Sequence, residues 1–418
     1  MKSINISNFK LGMDNRSDQT SIPKGCARDI ANTITNNFGG ISRRDGTTLQ
    51  AAGSGSYALW SPSNETFALY AKADQLRRLD IDSSGNLSFT TLVSGLQKTG
   101  QMSYCEIAED VVFTNGKDLM VYSNKTVKQI GVENPPGAPV ITPSTAGDLT
   151  PGKYNCAYSF LDASGTESAL SASTPTTLTQ NGGITFTFPF GSPNVQQIRI
   201  YMTPINGDVL YLVAQIPNGL TSYNLGDYSP GKQAANQFLS RMPPGSIVRW
   251  FKGRLMTVVG DTLYFSEPYN YGLTSPRHNF VRFGGNIVMV EICGAGVFVG
   301  ANEKVYLLAG TGPTDFTQQL VSTNMPFFGT SGVINAANLS KDIVGDSDAP
   351  EAIWLGPLGY SIGFVSGNVK DIQAERILLP DYDSGNTITY IKNGLSQVLS
   401  VVHSNVSNAV LTAFDSPN

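Results

Sequence analysis

The sequence predicts an all-β fold, a β-propeller of about six blades interrupted once by an inserted β-sandwich. Three observations predict it. The composition is rich in turn formers and poor in charge, with 43 glycines, 23 prolines and 14% charged residues in 418, which leaves few solvated helical faces. A hairpin pattern recurs at a near-constant interval. One internal segment has a different texture and is bounded by proline clusters.

Length and charge bound the function classes. A chain of 418 residues exceeds what one hydrophobic core usually supports, so two domains are expected. The 40% apolar content supplies a packed interior, and a formal net charge of −4 argues against a protein that grips phosphates through basic stripes. A mildly acidic wall is compatible with DNA passing alongside without sticking. Cys26, Cys105, Cys156 and Cys293 form no C-x-x-C pair, so they read as free, mostly buried thiols rather than a zinc or redox site. The start, MKSINISNFKLGM, lacks an apolar signal core, and no apolar run reaches about 18 residues. The expected destination is the cytoplasm or an assembled particle, with no membrane span.

Residues 1–50 read as irregular, with a strand at Ile4–Phe9 and a short helix over Ala27–Asn36 in which Ala27, Ile30, Ala31 and Ile34 share a face. From Tyr57 the repeat emerges. Its hairpins are TFALYAKADQLRRLDI (66–81), DVVFTNGKDLMVYS (110–123), GRLMTVVGDTLYFSE (253–267), GVFVGANEKVYLLAG (296–310) and AIWLGPLGYSIGFVSGN (352–368). In each, an apolar first strand suited to burial on both faces meets a Gly/Asn/Asp turn and a second strand. Within each half they start roughly 40–56 residues apart, close to the ~40–50-residue period of four-stranded propeller blades. Blades are therefore expected over 57–94, 97–134, 244–283, 284–322, 323–370 and 371–412.

The interruption opens with NPPGAPVITPSTAG (134–147), where four prolines hold the chain extended as a linker. The segments 153–168, 184–190, 196–204 and 209–217 then alternate apolar and polar residues, the pattern of strands with one buried face. RMPPGS (241–246) returns the chain to the ring. The expected domains are 1–134, an N-terminal arm with the first blades; 135–232, the sandwich; and 233–418, the remaining blades.

No catalytic, metal or cofactor site is expected. His278 and His403 are the only histidines, and no G-x-S-x-G elbow accompanies them. GAGVFVG (294–300) has the wrong glycine spacing for a dinucleotide loop and continues as strand. The acidic turns 81–86, 161–168 and 382–386 resemble calcium loops in Asp80, Asp82, Ser84 and Asn86, but the twelfth position is Thr91. Hairpin turns need the same residue types for their own backbone geometry. Asp110, Asp261, Glu267, Glu291 and Glu303 are available as a glycosidase-type carboxylate pair, and the sequence pairs none of them. Tyr269, Tyr271, Arg277 and Phe280 in YNYGLTSPRHNFVRF, with Phe327 and Phe328 in MPFFGTSG, read either as partner contacts or as caps on blade ends.

The run FKGRLMTVVGDTLYFSEPYNYGLTSPRHNFVRFGG resembles a blade of bacteriophage tail nozzle and tail-hub proteins, the tail tubular and DNA-stabilisation proteins of short-tailed phages. NIVMVEICGAGVFVGANEKVYLLAGTGP, NMPFFGTSGVINAANLS with EAIWLGPLGY, and the opening ARDIANTITNNFGGISRRDGTT are similar to further units of that family. The resemblance spans roughly 300 residues by pattern and departs at the insertion, where GKYNCAYSFLDASGTESALS, IRIYMTP and TSYNLGD resemble a fibronectin type III-like module without its usual early tryptophan. It implies a homo-oligomeric ring, commonly a hexamer, that continues the DNA-ejection conduit of a virion tail. Its implied partners are adaptor or portal-side proteins above, fibres or spikes outside, and genomic DNA passing through the lumen without sequence-specific binding. Synthesis would be in the host cytoplasm. The competing reading is a phage-borne glycan-binding or glycan-cleaving propeller.

Overall fold

A computed structural model describes residues 8–9, 11–31, 33–35, 40–43, 55–97, 101–189, 191–335, 349–392 and 395–404. The fold is all-β, a β-propeller carrying an inserted sandwich, and the described residues contain strands and turns but no helix. The chain divides into two compact units, residues 55–282 and residues 283–418 with 1–54.

In the first unit, blade 1 consists of Ser56–Trp60, Ala68–Lys72, Gln75–Ile81 and Leu87–Val93. Blade 2 consists of Ser103–Ile107, Asp110–Thr114, Leu119–Ser123 and Thr126–Gln129. Blade 3 consists of Val248–Phe251, Arg254–Val259, Thr262–Phe265 and Phe280–Arg282. Each is an antiparallel meander with strands in sequence order. The second strand of blade 2 shows why these strands are apolar throughout. Val111 and Phe113 pack on Leu69, Leu76 and Tyr122, while Val112 on the opposite face packs on Val248 and Leu255. Both faces are buried, so neither can be polar. Tight two-residue turns set the register, and Asn124-Lys125 adopts positive φ at both positions, +47° and +63°, as a type I′ hairpin turn requires.

The insertion lies between blades 2 and 3. Val140–Leu149, Gly182–Thr187 and Ser222–Leu225 form one sheet; Thr174–Leu178, Gly152–Asp162, Val195–Met202 and Tyr211–Pro217 form the other. Tyr158, Phe160, Ile184, Phe186, Ile198 and Ile200 fill the space between them. The expected linker 134–147 is partly strand. Pro143 sits in Val140–Leu149 opposite Ile184, at the edge of its sheet, and the ladder bulges after Ser144. An edge strand tolerates proline because the missing N–H costs no ladder bond on the open side.

In the second unit, blade 4 consists of Ile287–Cys293, Gly296–Ala301, Lys304–Ala309 and Thr317–Ser322. Blade 5 consists of Gly332–Asn335, Pro350–Gly356, Gly359–Gly363 and Val369–Asp371. They meet at Met289, Phe298, Val305 and Trp354, and the Trp354 indole donates to the Asn324 carbonyl at 2.8 Å. At the sixth position the described residues form only a hairpin, Ser384–Lys392 with Leu395–His403. It is fastened to blade 5 by Thr387 Oγ1 donating to the Thr330 carbonyl and Tyr360 donating to Ser400 Oγ, each at 2.8 Å.

The expected helix over Ala27–Asn36 does not form in its described residues. Cys26–Ala27 pairs in parallel with Gly12–Met13, and Thr33–Thr35 pairs with Ile41–Arg43. The β-branched run Thr33-Ile34-Thr35 favours strand over helix. The strand expected at Ile4–Phe9 lies largely outside the described residues. The arm is held by side-chain pairing: Asn15 Oδ1 accepts from the Leu378 amide at 2.9 Å, and Asn15 Nδ2 donates to the Leu378 carbonyl at 3.0 Å.

Candidate interaction surface

The six aromatic and arginine positions separate into surface and interior groups. Tyr269 is 81% exposed and held at φ +56°, with its amide donating to the Gly253 carbonyl at 2.7 Å. Its ring lies against Gly253, where an added Cβ would come within 2.9 Å of the ring. Arg277 stacks its guanidinium 5.5 Å from the Phe238 ring centroid, and Phe238 is itself 66% exposed at φ +64°. Phe280 is 38% exposed and leans on Tyr264. Tyr269 and Phe238 are both non-glycine residues in the left-handed region that present aromatic rings to solvent. Phe238 carried no sequence signal, standing beside Leu239 in the segment that returns from the insertion.

The other three are packing residues. Tyr271 is half-buried and its hydroxyl accepts from Trp250 Nε1 at 3.1 Å. Phe327 is 7% exposed, meets Tyr382 edge-on and donates its amide to Leu355. The Phe328 carbonyl accepts from Gly385 at 2.8 Å. Phe327 and Phe328 belong to the second unit, so the structure does not group them with Tyr269, Arg277 and Phe280.

The insertion is anchored at both ends. Val132 enters the sandwich core, Glu133 accepts from the Ser192 amide at 2.5 Å, and Asn134 accepts from the Arg241 amide at 3.1 Å. On the return, residues 231–234 run along the outer strand of the four-stranded sheet, with Leu212 donating to Lys232 and Ala234 to Leu210, each at 2.9 Å. Glu167 closes this junction. Its Oε1 accepts from Ser159 Oγ and the Tyr201 hydroxyl at 2.5 Å and from Asn236 Nδ2 at 3.1 Å, and its Oε2 accepts from Arg199 at 2.5 Å. Burial, reinforced by this carboxylate, pushes the Tyr201 phenol well above its ordinary value.

Several of the remaining candidate residues hydrogen-bond within the fold. Asp82 Oδ1 accepts from the Ser84 and Asn86 amides at 2.8 Å, and Asp162 Oδ1 accepts from Ser164 and Thr166 at 2.8 and 2.9 Å. Both are turn-closing carboxylates. Hydrogen bonding to the Asn86 side chain, and then to these amides, lowers the Asp82 pKa. Gly296–Ala301 is a strand inside blade 4 and opens no helix. Glu267 accepts from Asn279 at 2.8 Å, Asp261 faces Arg282 at 3.6 Å, and buried Glu291 accepts from Ser331 at 2.7 Å. Among the described residues no group of three or more His, Cys, Asp or Glu is placed to hold a metal, and no helix is long and apolar enough to cross a membrane. The four cysteines are thiols rather than disulfide halves, with Cys105 partly accessible and the other three buried.

No family model matches the sequence, and no curated protein matches it. Solved structures similar to the chain include three with the following likenesses. The N-terminal domain of Nup159 aligns with a TM-score of 0.32 at 11% identity, over 83% of this chain and 72% of that one. Streptogramin B lyase aligns at 0.34 and 11%, over 85% and 96%. Apo AztD from Citrobacter koseri aligns at 0.27 and 11%, over 83% and 89%. Likenesses this distant transfer no activity.

Proposed function

We propose that this chain is a structural component of a bacteriophage virion tail, a nozzle or hub subunit that assembles with identical copies, commonly six, into a ring continuing the DNA-ejection conduit. The observation that carries the reading is the nozzle-like run from Phe251 to Gly285, which coincides with a complete four-stranded blade, Val248–Arg282. Supporting it is the tethering of the sandwich, whose entry and exit segments are bonded to each other where the Arg241 amide donates to Asn134. A stiff blade array with a fixed lateral module suits a load-bearing ring that docks fibres or spikes outside and an adaptor or portal-side protein above. The role is structural rather than catalytic. A net charge of −4 lets DNA pass without adhesion. Synthesis takes place in the host cytoplasm and residence is in the tail.

A second reading, a glycan-binding or glycan-cleaving phage propeller, is favoured by one observation, the exposed rings of Tyr269 and Phe238, since sugar faces stack on such rings. Immunogold labelling of particles with antibody raised against residues 135–232 tests the first reading. Label on the tail supports it, and unlabelled particles contradict it. Turnover of capsular polysaccharide by the purified protein supports the second.

A further inference from the structure

We propose that the groove between blade 2 and the inserted sandwich docks an extended acidic peptide segment of a partner protein. The inference stands independently of the tail reading, because it uses only the groove's own residues.

The groove encloses about 580 Å3. Its walls include the half-buried Val127 and the strand Thr126–Gln129, above the buried Val132 and Met242. That strand pairs with Leu119–Ser123 and ends the blade 2 sheet, so it is an edge. Four residues of edge present about 13 Å for an added strand, and main-chain pairing with alternate side chains in apolar pockets is how such edges take up peptides. Because the sandwich wall is anchored through Glu133 and Arg241, the groove is already formed before a ligand arrives, and little ordering entropy is spent on binding.

Charge selects the ligand. Lys117 and Lys128 line the groove, both are exposed, and neither ammonium has a hydrogen-bond or ion-pair partner among the described residues. The groove's carboxylates are engaged: Glu133 by the Ser192 amide, Asp162 by Ser164 and Thr166. Arg241 is engaged too, donating to Gln129 Oε1 at 2.5 Å. The charged side chains lining the groove, Lys117, Lys128, Arg241, Glu133 and Asp162, leave a net charge of +1 in a chain whose net charge is −4, and an acidic strand complements it. A lysine on an edge strand also serves to repel stray pairing. That bland role predicts no peptide uptake at all.

The test measures fluorescence anisotropy of labelled Glu-Val-Glu-Val-Glu-Val on the full-length protein, with Gln-Val and Lys-Val repeats as controls. The acidic peptide is expected to bind at least about tenfold more tightly than either control, and to weaken about tenfold in K117E/K128E. Hydrogen exchange is expected to show new protection over 126–129. K117Q/K128Q serves as a milder variant should the reversal unfold the blade. The proposal is overturned by absence of acidic-peptide binding, by equal binding of the neutral repeat, by affinity unchanged in the lysine variants, or by protection elsewhere.

Discussion

Arg199 donates to the Glu167 carboxylate at 2.5 Å, joining a strand of the sandwich's four-stranded sheet to the segment that follows its longest strand, Gly152–Asp162. The same carboxylate accepts from Ser159, Tyr201 and Asn236, so one side chain ties sheet, turn and return linker together. Glu167→Gln keeps the shape, removes the charge and turns an acceptor into a donor facing donors. It should cost about 1–2 kcal/mol, the lower part of the range for losing charge-assisted bonds because the pair is partly solvated. Urea denaturation of the full chain measures it, and an unchanged midpoint would show that the junction is held elsewhere.

Phe113 bridges blades 1 and 2 with no exposure. Phe113→Ala should destabilise by about 3–5 kcal/mol, through lost burial and the cavity left behind. Val140→Thr, at a side chain 66% exposed, should stay within about 0.5 kcal/mol. The two midpoints measured side by side test the assignment of interior and surface.

Lys125 occupies the second central position of a type I′ turn at φ +63°. Lys125→Gly creates the Asn-Gly pair that this turn favours and should stabilise by up to about 1 kcal/mol, since an L side chain in the left-handed region is strained. A rise in melting temperature confirms the turn, and a fall shows that the turn has another geometry.

Burial pushes the Cys156 thiol from 9.0 to about 12 and the Tyr158 phenol from 10.0 to about 12. Both are neutral in the folded protein at pH values where the unfolded chain has begun to ionise, so the native state holds more protons there and stability falls as pH rises from about 9 towards 12. Below pH 9 the contribution is fully present. Denaturation midpoints at pH 7, 9 and 10.5 should decline in that order over the last interval, and maleimide at pH 7.5 should modify Cys105 well before the buried Cys26, Cys156 and Cys293.

The blades were legible because burial on both faces forces unbroken apolar strands such as Asp110–Thr114 and Gly296–Ala301, and their Gly/Asn turns punctuate them. The sandwich showed through its alternation for the same reason in reverse, with one face wet. Two elements were hidden by local chemistry that tertiary pairing overrode. Ala27–Asn36 has helical spacing of apolar residues, yet Cys26 and Ala27 gain ladder bonds to Gly12 and Met13. Pro143 disguised an edge strand as linker. Of the sixth blade expected over 371–412, residues 405–412 lie outside the described residues, and the described ones form the hairpin Ser384–Lys392 with Leu395–His403. The surface patch was half legible: Tyr269 and Arg277 stood out as exposed types in a long loop, whereas Phe238 enters only because the return linker brings it under Arg277. Anchoring of the insertion through Glu167 and Arg241 was invisible, since its partners lie up to 112 residues away in sequence.

The anchoring sharpens what removal of the insertion should do. Blade 2 meets blade 3 through Val112, Leu119, Val248 and Leu255 without sandwich residues. A chain lacking 135–232, closed by a short Gly-Ser linker, should keep its β circular-dichroism signal and a cooperative melt. The cut does leave Val132 and Asn236 without their sandwich partners, so a modest loss of stability is expected. Failure of the shortened chain to fold would show that the blades depend on the insertion.

The central claim is that identical copies of this chain close into a ring around an open lumen. Negative-stain microscopy of the purified full-length protein, with its mass in solution measured by light scattering, tests it most directly. Closed rings with a stain-filled centre and a mass several times 44.7 kDa are the predicted result. Isolated particles of single-chain mass at every concentration, with no annular assembly in protein or in disrupted virions, would contradict it.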